Sequence, residues 1–135
     1  MSAKRRRPVI AVVDDDVSVC RALKRLVWTH GINAETFTSG VDFLRMIETT
    51  PGFEPECVIL DVHMPGLDGF QVRTQLGTLR PHIPIIFLTA AAIPSKHAQR
   101  LTRGAVAFFS KSFDGDLDLF VRTLRAILGM RTSES

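Results

Sequence analysis

The chain has 135 residues, 45% of them hydrophobic, enough for one domain of ordinary size with a full core and no room for a second. Lys and Arg total 17 against 14 Asp and Glu, yet setting aside Lys4, Arg5, Arg6 and Arg7 leaves 13 against 14, so the basic surplus belongs to the N-terminal tail and the body is nearly neutral. The apolar run before Asp14 is too short for a signal peptide and no stretch is long enough to span a bilayer, which argues against a membrane protein and predicts a cytoplasmic one.

Residues 1–7 read as a basic tail, a short solvated extension, with contact to nucleic acid or acidic lipid as the other reading. Val9 to Val13 is an apolar, largely β-branched run that ends in Asp14, Asp15 and Asp16, as a buried strand would that delivers acid to its exit. Val19, Leu23, Leu26 and Val27 then recur at helical spacing, and that helix is expected to stop near His30 and Gly31. Ala34 to Phe37 is a short strand, and Ser39 with Asp42 resembles a capping box ahead of Phe43, Leu44 and Ile47 in a second helix.

After a loop from Thr50 to Pro55, Cys57, Val58, Ile59 and Leu60 run into a second strand-end acid, Asp61. Phe70, Val72, Leu76 and Leu79 mark a modest helix, and Ile83 to Leu88 a strand entered between Pro81 and Pro84. A helix from Pro94 to Arg103 has few apolar residues beyond Ala98 and Leu101, so it is expected to be weakly held and able to move. Ala105 to Ser110 is the last strand, and Asp114 opens a final helix through Leu117, Phe120, Val121, Leu124 and Leu128 to Gly129. Cys20 and Cys57 lack a metal-ligand spacing and read as small buried hydrophobes.

Five alternations of strand and helix predict a doubly wound α/β domain over residues 8–129, with a five-stranded parallel sheet, helices on both faces and a tail at 130–135. In such a sheet the carboxyl ends of all strands share one edge, so Asp14, Asp15, Asp61, Thr89 and Lys111 are expected to meet. Several carboxylates at one edge repel unless a cation or a raised pKa relieves them, and an oxygen-only set suits Mg2+. Helix capping explains one of Asp14 to Asp16 but not all three together with Asp61. Acids for a metal, a hydroxyl donor and a fixed cation together make a site for a phosphoryl group, in which a carboxylate can act as nucleophile and form an acyl phosphate.

At this point the chain resembles a response regulator receiver domain, the phosphoacceptor module of two-component signalling. The matching residues are Val12, Val13, Asp14 and Asp15; Asp61 with Met64, Pro65, Gly66, Asp68 and Gly69; Thr89 with Ala90; and Lys111 with Phe113. The resemblance covers Pro8 to Leu128 and implies a flavodoxin-like strand order 2-1-3-4-5. It implies that Asp61 is phosphorylated by a histidine kinase or histidine phosphotransfer protein, and that Asp14, Asp15, Asp61 and the backbone carbonyl of His63 hold Mg2+. The His63 side chain then faces solvent at the rim. Lys111 would contact the phosphoryl oxygens, and Thr89 would turn toward them. Phe108 takes the place of the family's switch aromatic; equally, Phe108 and Phe109 read as one surface-lining and one buried aromatic. A downstream protein partner would bind the face made by the 94–103 helix, the last strand and the last helix. Self-phosphorylation and self-dephosphorylation would be the only enzymatic activity, and a homodimer on phosphorylation is compatible with this scheme.

Two departures stand out. The family usually has proline after the lysine, whereas this chain has Ser112, which predicts a trans bond, a locally altered loop and a shifted Lys111. Ala91 is small where many relatives are larger, which would open the phosphoryl group to water or to a partner. Only a polar tail follows Gly129, so no nucleic-acid-binding output domain and no membrane contact are expected from this segment. Two other readings stay open: a receiver-like binding module that signals without phosphorylation, and a phosphatase of haloacid-dehalogenase type. The second is faintly suggested by Asp14, Asp16 and Val17, although that family has Thr or Val where Ser18 stands.

Overall fold

The computed structural model describes residues 7–90, 107–113 and 115–130. The apolar runs form strands β1 (Val9–Val13), β2 (Asn33–Phe37), β3 (Val58–Asp61), β4 (Ile85–Thr89) and β5 (Ala107–Ser110). Between or after them lie helices α1 (Val17–Trp28), α2 (Gly40–Thr49), α3 (Gly69–Leu79) and α4 (Leu117–Ile127). All strand pairs are parallel and the sheet order is β2-β1-β3-β4-β5. The expected helix over 94–103 lies outside the described residues, as do Ala91, Ala105 and Asp114.

Strand alternation sorts the core into two layers. Ile10, Val12, Ile59, Ile86, Leu88 and Phe109 face α1 and α4, where Cys20, Leu23, Phe120 and Leu124 pack on them. Ala11, Val13, Val58, Leu60, Ile85 and Phe87 face α2 and α3, through Phe43, Leu44, Ile47, Val72 and Leu76. Because β1, β3 and β4 are covered on both faces, they read as continuous apolar runs, the pattern of a buried parallel strand. Both cysteines are buried and free, and burial pushes the Cys57 thiol up to about 12.

Element ends follow local chemistry. Asp16 caps α1, its carboxylate accepting from the amides of Ser18 and Val19, so it is the one acid of the first cluster spent on a helix. That helix ends at Thr29, and Gly31 turns the chain with φ +82°. Ser39 accepts from the Asp42 amide, half of the expected box. The complete box is at α3, where the Asp68 carboxylate accepts from the Gln71 amide at 2.9 Å and Gln71 Oε1 accepts from the Asp68 amide at 2.9 Å. Strand β4 starts at Ile85, later than sequence periodicity places it, because Pro84 has no N–H to give the ladder; its carbonyl instead accepts from Val58.

Candidate functional site

Register builds the pocket. Val13 pairs with Leu60 across β1 and β3, so the next residues, Asp14 and Asp61, stand side by side at the carboxyl edge. Leu88 pairs with Asp61 and Ser110 with Thr89, so Thr89 and then Lys111 leave the sheet at the same edge. The Lys111 amide donates to the Thr89 carbonyl at 2.8 Å, which carries the β4–β5 pairing one residue past the strand.

Asp14 and Asp61 are both buried, while Asp15 is exposed at the mouth. Carboxylate oxygens from Asp14, Asp15 and Asp61 lie within 4.8 Å of one another. Lys111 Nζ sits 3.0 Å from Asp14 Oδ2 and 3.1 Å from Asp61 Oδ2, and donates to Asp14 Oδ1 at 3.2 Å. With serine after it, Lys111 reaches both buried acids. The described residues contain no cis peptide bond, so Lys111–Ser112 is trans as expected. The loop holds its shape by other means: Ser110 Oγ accepts from the Ser112 amide at 3.3 Å, the two serine hydroxyls are 2.8 Å apart, and Phe113 turns the chain with φ +59°.

A feature that sequence periodicity does not reveal is that both buried acids close a turn on themselves. Asp14 Oδ1 accepts from the amide two residues on, Asp16, at 2.9 Å, and Asp61 Oδ1 accepts from the amide two residues on, His63, at 3.3 Å. These are Asx turns, and an Asp placed directly at a strand exit is their sequence signal. Each turn orients its carboxylate and leaves Oδ2 without a backbone donor, while Asp14 Oδ1 also accepts from Lys111. Asp14 Oδ2 and Asp61 Oδ2 touch the Lys111 ammonium but make no directed hydrogen bond, although both are buried.

The electrostatics follow. Burial, with Asp14 beside it, pushes the Asp61 carboxyl up to about 6 despite the opposing pull of Lys111 and the His63 amide. For Lys111 burial acts to lower the pKa, but the Asp14 and Asp61 carboxylates beside it outweigh this and raise it. Two buried carboxylate oxygens without directed donors, joined by a third carboxylate at the mouth, form an all-oxygen set that fits a hard divalent cation.

The other expected site residues take these places. The His63 side chain is exposed at the rim. Thr89 is buried, and strand alternation puts it on the Phe87 face with Phe108, whereas Asp61 follows Ile59 onto the opposite face. Phe108 is half-buried and stacked on Phe87 with ring centroids 5.0 Å apart, while Phe109 is the buried member of the pair. The phosphatase alternative is not favoured: Asp16, which it would need beside Asp14, is exposed and committed to capping α1.

An open parallel sheet with this order, and with three carboxylates and one lysine at its carboxyl edge, defines an acidic-pocket α/β protein of flavodoxin-like topology. A family model described as response regulator receiver domain matches residues 10–121. The chain is 36% identical to Nodulation protein W of Bradyrhizobium diazoefficiens over 107 residues, covering 79% of this chain and 46% of that protein. It is 38% identical to the response regulator protein TodT of Pseudomonas putida over 108 residues, covering 80% of this chain and 46% of that one. A crystal structure of a response regulator receiver protein from Burkholderia phymatum superposes with TM-score 0.81 at 42% identity, covering 94% of this chain and 99% of that one. Response regulator TrrA from Thermotoga maritima, solved in complex with Mg(2+)-BeF, superposes with TM-score 0.74 at 26% identity, covering 89% and 98%. The chain belongs to the response regulator receiver domain family. It spans about half the length of the curated relatives it matches.

Proposed function

We propose that residues 8–129 act as a phosphoacceptor in a two-component system or phosphorelay, with Asp61 as the residue modified. The observation that carries this reading is the arrangement of Asp61 Oδ2, buried, without a directed hydrogen bond and 3.1 Å from the Lys111 ammonium, beside Asp14 and Asp15. An oxygen held that way is poised to attack phosphorus. The P–N bond of a phosphohistidine on a kinase or phosphotransfer protein breaks, a P–O bond to Asp61 forms, and the imidazole leaves and takes up a proton from water. Asp14, Asp15, Asp61 and the His63 backbone carbonyl would hold Mg2+, which neutralises phosphoryl oxygens when bound. The Mg2+ carried by the TrrA structure supports that choice of cation.

Lys111 is already placed to pair with a phosphoryl oxygen, and in doing so it would release Asp14 and Asp61 from the ion pairs it now makes. Thr89 donates its hydroxyl from the neighbouring strand end, and the Phe108 ring, which shares its face, follows; Thr89 and Phe108 are the switch pair in this reading. The output surface includes β5 and α4, takes a downstream protein partner, and accommodates homodimerisation on phosphorylation. Self-phosphorylation from small donors and self-dephosphorylation complete the chemistry. A cytoplasmic site of action is part of this reading; no helix among the described residues is long and apolar enough to cross a membrane.

Incubation with acetyl phosphate and Mg2+, read by intact mass, tests the assignment. A single phosphoryl adduct that is absent from Asp61→Asn is expected. Turnover of the donor without any adduct, lost in Asp14→Asn, would refute it.

A further inference from the structure

Helix α1 contains no acid and presents a cationic face. Arg21, Lys24, Arg25 and Trp28 stand at i, i+3, i+4 and i+7, so their side chains share one side of the helix, and all four are exposed. With Asn33 and Ala34 they line a cavity of about 330 Å3. None of the three cations has a carboxylate within ion-pair distance among the described residues. The acid next to this wall in sequence, Glu35, does not offset them: Ala34 packs in the core layer under α1, so strand alternation turns Glu35 to the other face of the sheet.

Arg7 extends the patch. Its guanidinium lies 3.6 Å over the Trp28 ring and donates to the Trp28 carbonyl at 3.1 Å, and Arg125 donates to the His30 carbonyl at 2.9 Å. The carbonyls at the end of α1, the negative pole of its dipole, are thus met by cations and do not oppose an approaching anion. Lys4, Arg5 and Arg6 directly precede Arg7, and three residues of chain reach at most roughly 10 Å, so this anchor keeps the charge of the basic tail beside that of α1.

So many cations in one region suit a polyanion, and Trp28 decides which kind. It is the chain's single tryptophan and is 53% exposed. Arg7 occupies one face of its ring, which a stacking nucleobase would compete for; an indole with an apolar body and a polar N–H instead gains by entering the headgroup layer of a bilayer. We propose that the C-terminal end of α1, together with Arg7 and the basic residues before it, is a peripheral docking surface for an anionic phospholipid bilayer. Arg7, Arg21, Lys24 and Arg25 meet lipid phosphates, and Trp28 enters at headgroup level. Asp15 and Asp16 lie at the opposite end of α1, roughly 18 Å away along the helix, so this contact turns the acidic pocket away from the negative surface. The proposal does not depend on phosphorylation of Asp61.

The full, unmodified chain is titrated with vesicles of equal parts phosphatidylglycerol and phosphatidylcholine, read by sedimentation and by Trp28 emission. Saturable binding with a blue shift of the emission is expected at low salt, weakening as salt rises, and neither is expected with pure phosphatidylcholine. The variant Arg21→Gln/Lys24→Gln is expected to bind about 25-fold more weakly, about fivefold for each cation removed. Arg45→Gln/Arg122→Gln removes the same charge from exposed positions on α2 and α4 and is expected to bind within about twofold of wild type. Absence of binding to the anionic vesicles would overturn the proposal, as would equal binding to pure phosphatidylcholine, equal weakening by the two double variants, or binding without a change in Trp28 emission. Saturation by a single-stranded oligonucleotide at lower concentration than by vesicles would also overturn it, in favour of a nucleic-acid surface.

Discussion

Replacing Asp61 with Asn tests the electrostatics of the pocket independently of any phosphoryl transfer. Asp61 titrates at about 6 in the folded chain against 3.8 ordinarily, mainly because it is buried and faces Asp14. That net shift already includes the attraction of Lys111, so ionising Asp61 costs the fold about 2–3 kcal/mol at 1.36 kcal/mol per unit. The sign follows from linkage: a carboxyl raised in the folded state stabilises the fold fully below its unfolded pKa and loses that contribution as pH rises through the folded pKa. Wild type should therefore lose stability between pH 3.8 and about 6, a slope that Asp61→Asn lacks. At about pH 8 without divalent ions the variant should be more stable by about 2–3 kcal/mol, or about 6–9 °C in Tm at roughly 3 °C per kcal/mol for a chain of this size. Added Mg2+ should narrow the gap, because a cation that binds the folded trio stabilises wild type by mass action and finds one carboxylate fewer in the variant. Urea unfolding at several pH values, with and without Mg2+, gives these quantities. A variant no more stable than wild type at about pH 8, or an advantage that persists unchanged below pH about 4, would refute the reasoning.

Lys111→Met should destabilise the fold by about 2–4 kcal/mol at about pH 8, because it leaves Asp14 and Asp61 buried without their shared cation; denaturant titration should show the loss shrinking as pH falls and the acids take up protons. Gly69→Ala should cost about 1–3 kcal/mol in the same assay and slow adduct formation on Asp61, since a Cβ at 69 would collide with the Asp61 carbonyl and sit 3.0 Å from Val62 Cα. Asp68→Ala should cost about 1 kcal/mol by opening the capping box of α3, with thermal unfolding as the measure and Ser39→Ala as a milder control for a half box. Ser110→Ala should slow modification by acetyl phosphate with little loss of Tm, because the Ser110 hydroxyl holds the Ser112 amide in the loop that aims Lys111; an unchanged rate would remove that role.

Much of the fold was written in local sequence. The apolar runs at Val9–Val13, Val58–Asp61 and Ile85–Thr89 are continuous because both faces of those strands are covered, and the helical periods of α1, α2 and α4 give amphipathic helices that cover them. Acids at two strand ends, a Thr and a Lys at two others, and the alternation that puts all those ends on one edge were enough to name the pocket and the family before any coordinate. Tertiary structure alone decided how the pocket is wired. The two Asx turns orient the Asp14 and Asp61 carboxylates toward Lys111, whose loop is shaped by Ser110 and the left-handed Phe113. The need for glycine at 69 comes from β3 passing directly beneath it. The division has a physical cause: periodicity and capping are interactions between residues a few positions apart, whereas cross-strand register, close backbone approach and charge pairing across 97 positions, as between Asp14 and Lys111, are settled only when the sheet closes its order.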